Sequence, residues 1–237
     1  MTQTQIAHLL EDIPFEVDLL ALRKRLRIKE GSPATISLEQ MTAAAAPLAK
    51  PRVLYLEAYI SDRSEDWVEI EGVRFSSRVL RVNMEQAFRV FPFLATCGQE
   101  LQDWADGFED LLERYWAEAI KEAALVNARQ AFTNHLEARY HPGQTASMSP
   151  GSLQDWPIQQ QEPLFRLFGG WAAQIGVQLN ESMLMVPTKS VSGIRFPTQV
   201  AFESCQLCPR EGCPGRRAPY DATLYNSRYC PHNGQEF

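Results

Sequence analysis

The apolar pattern of this chain changes its period near residue 98, and that switch limits what the chain can build. Before it, residues 53–60, 67–75 and 89–97 are rich in β-branched and aromatic side chains. Trp67-Val68-Glu69-Ile70 and Val73-Arg74-Phe75 flank the dipeptide Glu71-Gly72 as the arms of a hairpin flank its turn. After it, Leu101, Trp104, Ala105, Phe108, Leu111, Leu112, Tyr115, Ala119, Ile120 and Ala123 recur at helical spacing, which predicts one very long helix or two stacked ones over 99–140. That stripe is what a helix packed on a sheet needs, so its aromatics are read as core.

The 237 residues are 45% hydrophobic and 22% charged, a globular composition that excludes a disordered chain. A net charge of −6 repels phosphate and disfavours nucleic acid or an anionic membrane as partner. No stretch approaches the roughly 18 apolar residues of a membrane helix, and the first residues lack a cationic leader followed by an apolar run, so a cytoplasmic protein is expected.

The first thirty residues read as an edge element whose basic run, Arg23-Lys24-Arg25-Leu26-Arg27, is a solvated surface patch. The alanines at 43–46 read as a helix ended by Pro47. His141-Pro142-Gly143 breaks the long helical run, and 141–157 reads as a loop too long for a plain connector. Helix returns over 159–175, and strands over 177–179 and 182–187. Dinucleotide, P-loop, zincin and nucleophile-elbow motifs are all missing, as is a Cys/His nucleophile pair. Cys97 reads as a buried small hydrophobe, and His135 and His141 lack a second ligand at metal spacing.

The informative stretch is 175–194. It reads as a strand, a turn made of Lys189, Ser190, Ser192 and Gly193, and a second strand, with hydroxyls and amides of the turn facing a polar ligand and the methionines packed inside. Without outside knowledge it is a Ser-Gly hairpin. The segment Glu181-Ser182, Met185, Pro187 and Ser190-Val191-Ser192-Gly193 closely resembles the T-E-S-x-x-M-x-P-x-x-S-V-S-G hallmark of the S-adenosylmethionine-binding activation (reactivation) domain of cobalamin-dependent methionine synthase, with Asn180 in place of Thr. The resemblance spans about residues 60–202 and is to the family's free-standing members. It implies a single α+β domain, a twisted antiparallel sheet with packed helices, over residues 1–202, and a cysteine-rich extension over 203–237.

The family's Arg-x-x-Pro-Gly-Tyr ligand loop has two counterparts here. Arg139-Tyr140-His141-Pro142-Gly143-Gln144 keeps the arginine, which can pair with a ligand carboxylate, while Ser149-Pro150-Gly151-Ser152 has the better register, and neither has tyrosine after glycine. The resemblance implies ligand contacts from Arg139, Pro150, Gly151, Ser152, Ser190, Ser192, Gly193 and Phe202; Glu181 either balances a cationic group of the ligand or caps the hairpin.

Four of the five cysteines, Cys205, Cys208, Cys213 and Cys230, crowd into the last segment, where in a reducing compartment they serve as thiols or metal ligands. Three nearby cysteines and a remote fourth favour a [4Fe-4S] cluster over zinc, with His232 as the alternative to Cys230. Arg210, Arg216 and Arg217 either offset thiolate charge or form a solvated basic loop. The resemblance then implies reductive reactivation of a corrinoid methyltransferase: S-adenosylmethionine as methyl donor, cobalamin carried by a partner because the chain lacks an Asp-x-His-x-x-Gly signature, and an electron donor protein feeding the cluster. The rival is a non-catalytic, zinc-clipped binding subunit of a split methionine synthase or another corrinoid protein.

Overall fold

The computed structural model describes residues 6–213 and 215–230. The N-terminal segment adds strand β1 (Ala7–Leu10), then helices α1 (Leu19–Arg25) and α2 (Pro33–Ala45). Arg25 of the basic run is tied to Glu122 at 2.7 Å, so that patch also fastens α1 to the rest of the molecule. The run at 53–60 divides at Glu57 into β2 (Arg52–Leu56) and β3 (Ala58–Arg63). The hairpin follows as β4 (Trp67–Ile70) and β5 (Val73–Ser76), with Glu71 and Gly72 at φ +50° and +77° as its two-residue turn. A short helix, α3 (Arg78–Asn83), leads to β6 (Arg89–Thr96), the centre of the sheet.

Both halves of the divided strand pair with β6 in one continuous antiparallel register, from Arg52↔Thr96 to Tyr55↔Phe93 and again at Ala58↔Val90 and Tyr59↔Arg89. The interruption in the pairing falls at Leu56 and Glu57, opposite Pro92 and Phe91, and Pro92 has no N–H to give the ladder. β1 covers the outer edge of β2 while β4 covers β3, so the sheet curls at this break.

The helical region is two helices, α4 (Gln99–Asp106) and α5 (Leu111–Tyr140). Gly107 ends the first, and Asp110 starts the second by accepting the N–H groups of Leu112 and Glu113 at 2.8 and 3.0 Å. His141, at φ +45°, terminates α5 in the left-handed conformation, and His135 hydrogen-bonds through Nε2 with the buried Tyr55 hydroxyl at 2.8 Å. Both histidines therefore serve structure. The expected loop at 141–157 contains a strand, β7 (Thr145–Met148), because its alternating residues fit the edge of the sheet. Helices α6 (Gln161–Phe168) and α7 (Trp171–Gln174) are separated at Gly169 and Gly170.

The segment after α7 differs most from expectation. β8 (Gln178–Leu179) and β9 (Met185–Val186) form a minimal ribbon, and the strand predicted over 182–187 is mostly its turn. Asn180 builds that turn by accepting the N–H groups of Ser182 and Leu184 at 2.9 and 3.0 Å. Residues predicted to turn at 189–193 instead enter a long strand, β10 (Ser190–Pro197), paired with β6 on one side and β7 on the other. Met183 and Met185 are half-buried rather than enclosed.

The architecture is α+β, a curled antiparallel sheet with helices on both faces. Alternation along the strands sends Leu54, Leu56, Val90, Leu94, Ile194 and Phe196 to one face, where α3, α6, Trp156 and the tail's Tyr229 pack. Val53, Tyr55, Phe91 and Phe93 go to the other face, against Ala128, Phe132 and Leu136 of α5. No helix among the described residues is long and apolar enough to cross a membrane.

Candidate functional site

A cavity of about 350 Å³ opens on the α5 side of the sheet edge. Its floor is Phe93, Phe132 and Val191; one rim carries Ser149 and Ser152; the opposite wall is the tail, with Glu203, Cys205, Cys208 and Arg217. The rim is a braced turn: Ser152 donates to the Ser149 carbonyl through N–H at 3.1 Å and hydroxyl at 2.6 Å, and the Gly151 N–H donates to the Trp156 carbonyl at 2.7 Å. Gly151 sits at φ +81°, and a Cβ there would lie 2.8 Å from Ile158 Cδ1, so glycine is required.

The two-residue period of β10 decides which of its residues reach the cavity. Val191 and Arg195 line it, whereas Ser190 and Ser192 point to the opposite face. Ser190 Oγ donates to Thr96 Oγ1 at 2.9 Å, and the fully buried Ser192 donates to Gln161 Oε1 at 2.6 Å, fastening α6 to the sheet. The expected hydroxyl contacts from these two serines are thus replaced by internal ones. Ser192→Ala is expected to lower stability by about 1–2 kcal/mol, the worth of one buried hydrogen bond with its orphaned acceptor, in a urea titration. Ligand affinity should not follow, because the hydroxyl faces away from the cavity.

Gly193 works by absence of a side chain, letting β7 approach. Of the other residues singled out in the sequence, Arg139 is exposed on the last turn of α5, its guanidinium 5.4 Å from the Tyr140 ring, and Glu181 is exposed in the β8–β9 turn. Neither lines the cavity. Phe202 is buried in the core against Tyr229, 6.2 Å between ring centroids. Of the two Pro-Gly loops, the cavity is reached by the second, whose Ser149 and Ser152 flank the buried Pro150 and the exposed Gly151.

Three arginines went unnoticed as a group in the sequence: Arg129, Arg195 and Arg217 converge here from α5, β10 and the tail. Arg195 donates through an Nη to Thr133 Oγ1 at 2.8 Å and lies 5.3 Å above the Phe132 ring. Burial, and then the charge of Arg129 and of Arg217, push it below the ordinary arginine range; burial and Arg217 do the same to Arg129. Arg195 shares the strand face of Val191 and Gly193, and Arg129 stands one turn from Phe132, so periodicity groups each arginine with neighbours on its own element, while only the docking of α5 on β10 brings the two together.

No family profile and no curated protein matches the sequence. Among solved structures, the crystal structure of the MetH reactivation domain bound to AdoHcy superposes with a TM-score of 0.55 at 14% identity, over 83% of this chain and 80% of that one. This chain has the reactivation-domain fold. At that identity the likeness establishes the fold alone.

On this reactivation-domain fold the cysteines do not form one centre. Cys205 and Cys208 both face the cavity, while Cys230 donates its thiol to Asn226 Oδ1 at 3.4 Å, and among the described residues no three His, Cys, Asp or Glu side chains are grouped to hold a metal ion. His232 lies outside the described residues. Arg216 shapes the cysteine loop, donating to the carbonyls of Cys205 and Cys208 at 3.0 and 3.1 Å and also to that of Arg210.

The N–H of Arg217 donates to Cys205 Sγ at 3.5 Å, and with the guanidinium of Arg217 it holds that thiol below its ordinary range. Cys97 is fully buried and pushed up to about 11 by burial. Iodoacetamide at neutral pH, read by peptide mass spectrometry, should therefore label Cys205 first and leave Cys97 unlabelled until the protein unfolds.

Proposed function

We propose that this chain binds an S-adenosyl ligand in the 350 Å³ cavity and serves the reductive reactivation of a cobalamin-dependent methyltransferase of the methionine synthase type. Two observations support it: the motif resemblance at 149–152 and 180–193, and a backbone likeness to a reactivation domain that was crystallised with AdoHcy. The cavity is bordered by that Pro-Gly turn and by the Ser-Val-Ser-Gly strand.

S-adenosylmethionine supplies an activated methyl group, for which cob(I)alamin held on a partner protein is the acceptor. The chain then needs no acid, base or nucleophile of its own, which fits the missing motifs. Its residues do positional work. Phe93, Phe132 and Val191 offer a dry floor, the braced turn at 149–152 fixes the rim, and the arginine wall receives the ligand's carboxylate.

Calorimetry on the full chain tests this. Heat is expected with S-adenosylmethionine or S-adenosylhomocysteine and should be lost in Ser152→Trp, which fills the rim from an exposed position. An intact fold indifferent to both compounds would overturn the reading. Electron delivery by the tail is a separate part of it: two cavity-facing thiols do not make a cluster site by themselves. Iron with matching sulfide in oxygen-free preparations supports that part; a single zinc supports the rival, a zinc-clipped binding subunit.

A further inference from the structure

The cavity carries more positive charge than its own residues neutralise. Arg129, Arg195 and Arg217 line it, and the carboxylate there belongs to Glu203, which is committed to Arg217 at 2.8 Å. Among the described residues no carboxylate pairs with Arg129 or Arg195. Arg195 has used one Nη on Thr133, and its Nε is buried without a partner. The thiols of Cys205 and Cys208 stand on the same wall, that of Cys205 held below its ordinary range by the N–H and guanidinium of Arg217.

Bringing guanidiniums together out of water costs stability, and a buried N–H without an acceptor adds to that cost. Arg195 ties β10 to α5 through Thr133 and the Phe132 ring, which uses one Nη, and Arg129 makes no side-chain hydrogen bond among the described residues, so the fold leaves most of both guanidiniums uncommitted. A guanidinium fork is the side chain suited to an oxyanion.

We propose that Arg129 and Arg195, with Arg217, form an anion subsite for a carboxylate or phosphate group, and that the surplus positive charge makes the cavity favour ligands that are neutral or negative overall. The inference shares its cavity with the function proposed above and refines it. Within the S-adenosyl class, neutral S-adenosylhomocysteine is favoured over S-adenosylmethionine, whose sulfonium brings a further positive charge toward the arginines. The site is thereby biased toward the demethylated product.

Calorimetry of the full chain with inorganic phosphate, S-adenosylhomocysteine and S-adenosylmethionine, at low and high salt, tests it with wild type, Arg129→Gln and Arg195→Gln. Phosphate should bind the wild type, weaken as salt rises, and weaken at least about tenfold in each variant, a change that corresponds to about 1.4 kcal/mol. S-adenosylhomocysteine should bind about tenfold more tightly than S-adenosylmethionine, a gap that narrows in the variants. The ligand-free Arg129→Gln protein should melt no lower than the wild type, since a repulsion is relieved; a structural role would instead lower it. Phosphate binding that is absent, or unchanged in both variants, overturns the anion subsite, and equal affinity for the two S-adenosyl compounds overturns the charge selection. Phosphate bound while both S-adenosyl compounds are ignored would retain the anion subsite and discard the function proposed above.

Discussion

Gly193→Ala is expected to cost about 3 kcal/mol and to lower the melting temperature by about 6–12 °C, the upper part of what overpacking does in a domain of this size. A Cβ at this position would lie 2.4 Å from the Met148 carbonyl oxygen, 3.0 Å from Ser149 Oγ and 3.1 Å from Phe93 Cε1. The first of these is backbone and cannot rotate away. It can retreat only if β7 separates from β10, which would strain the pairing from Ile194↔Met148 to Pro197↔Thr145. Met148 leads directly into the turn at 149–152, so the same displacement moves the cavity rim, and ligand affinity should fall at least tenfold alongside stability. Differential scanning calorimetry with ligand titration reads both, and an alanine variant that melts like the wild type would refute the close packing of the two strands.

The second large effect is expected at Lys121. This lysine is fully buried in α5, and its ammonium uses three donors, to Gln102 Oε1 at 2.8 Å, Glu118 Oε1 at 2.6 Å and Thr188 Oγ1 at 2.9 Å. Gln102 Oε1 also accepts from the N–H and hydroxyl of Thr188, both at 3.0 Å, so the cluster fastens α4 and α5 to the residues that lead into β10. Truncation to alanine removes both the ion and its stem, at a cost of about 4 kcal/mol; methionine, which refills the space but donates nothing, should cost about half of that. Glu118 is partly exposed and can turn to water, which keeps the loss below that of a sealed ion pair. Chemical denaturation measures the costs, and Cys97, whose thiol the charge of Lys121 holds down against burial, should be pushed further up in the alanine variant and gain no reactivity toward alkylation from the lost charge.

The two largest effects involve residues that sequence patterns treat differently. Gly193 stood in a recognised motif, yet the reason for a glycine there is the carbonyl of Met148, distant in the chain and adjacent only after β7 has docked. Lys121 lay in a helical run where a lysine reads as solvent-facing. Its burial follows from the packing of α4 and the β10 entry over that part of α5. The serines show the same limit from the other side. A turn and a strand place alternate residues differently, and once Ser190–Pro197 proved to be a strand, Ser190 and Ser192 moved to the face opposite the cavity.

Local chemistry was enough for the hairpin at Glu71-Gly72, for the helix break at His141, for the strand at 89–97, and, through the resemblance, for an antiparallel α+β architecture, because each depends on neighbours a few residues away or on a motif carried whole. The tertiary arrangement alone set the division of the first long strand opposite Phe91 and Pro92, the gathering of Arg129, Arg195 and Arg217, and the distribution of the tail's thiols. Those features depend on pairs of residues tens of positions apart, and which of them meet is determined by sheet register and helix docking, quantities that have no signature in any short window of chain.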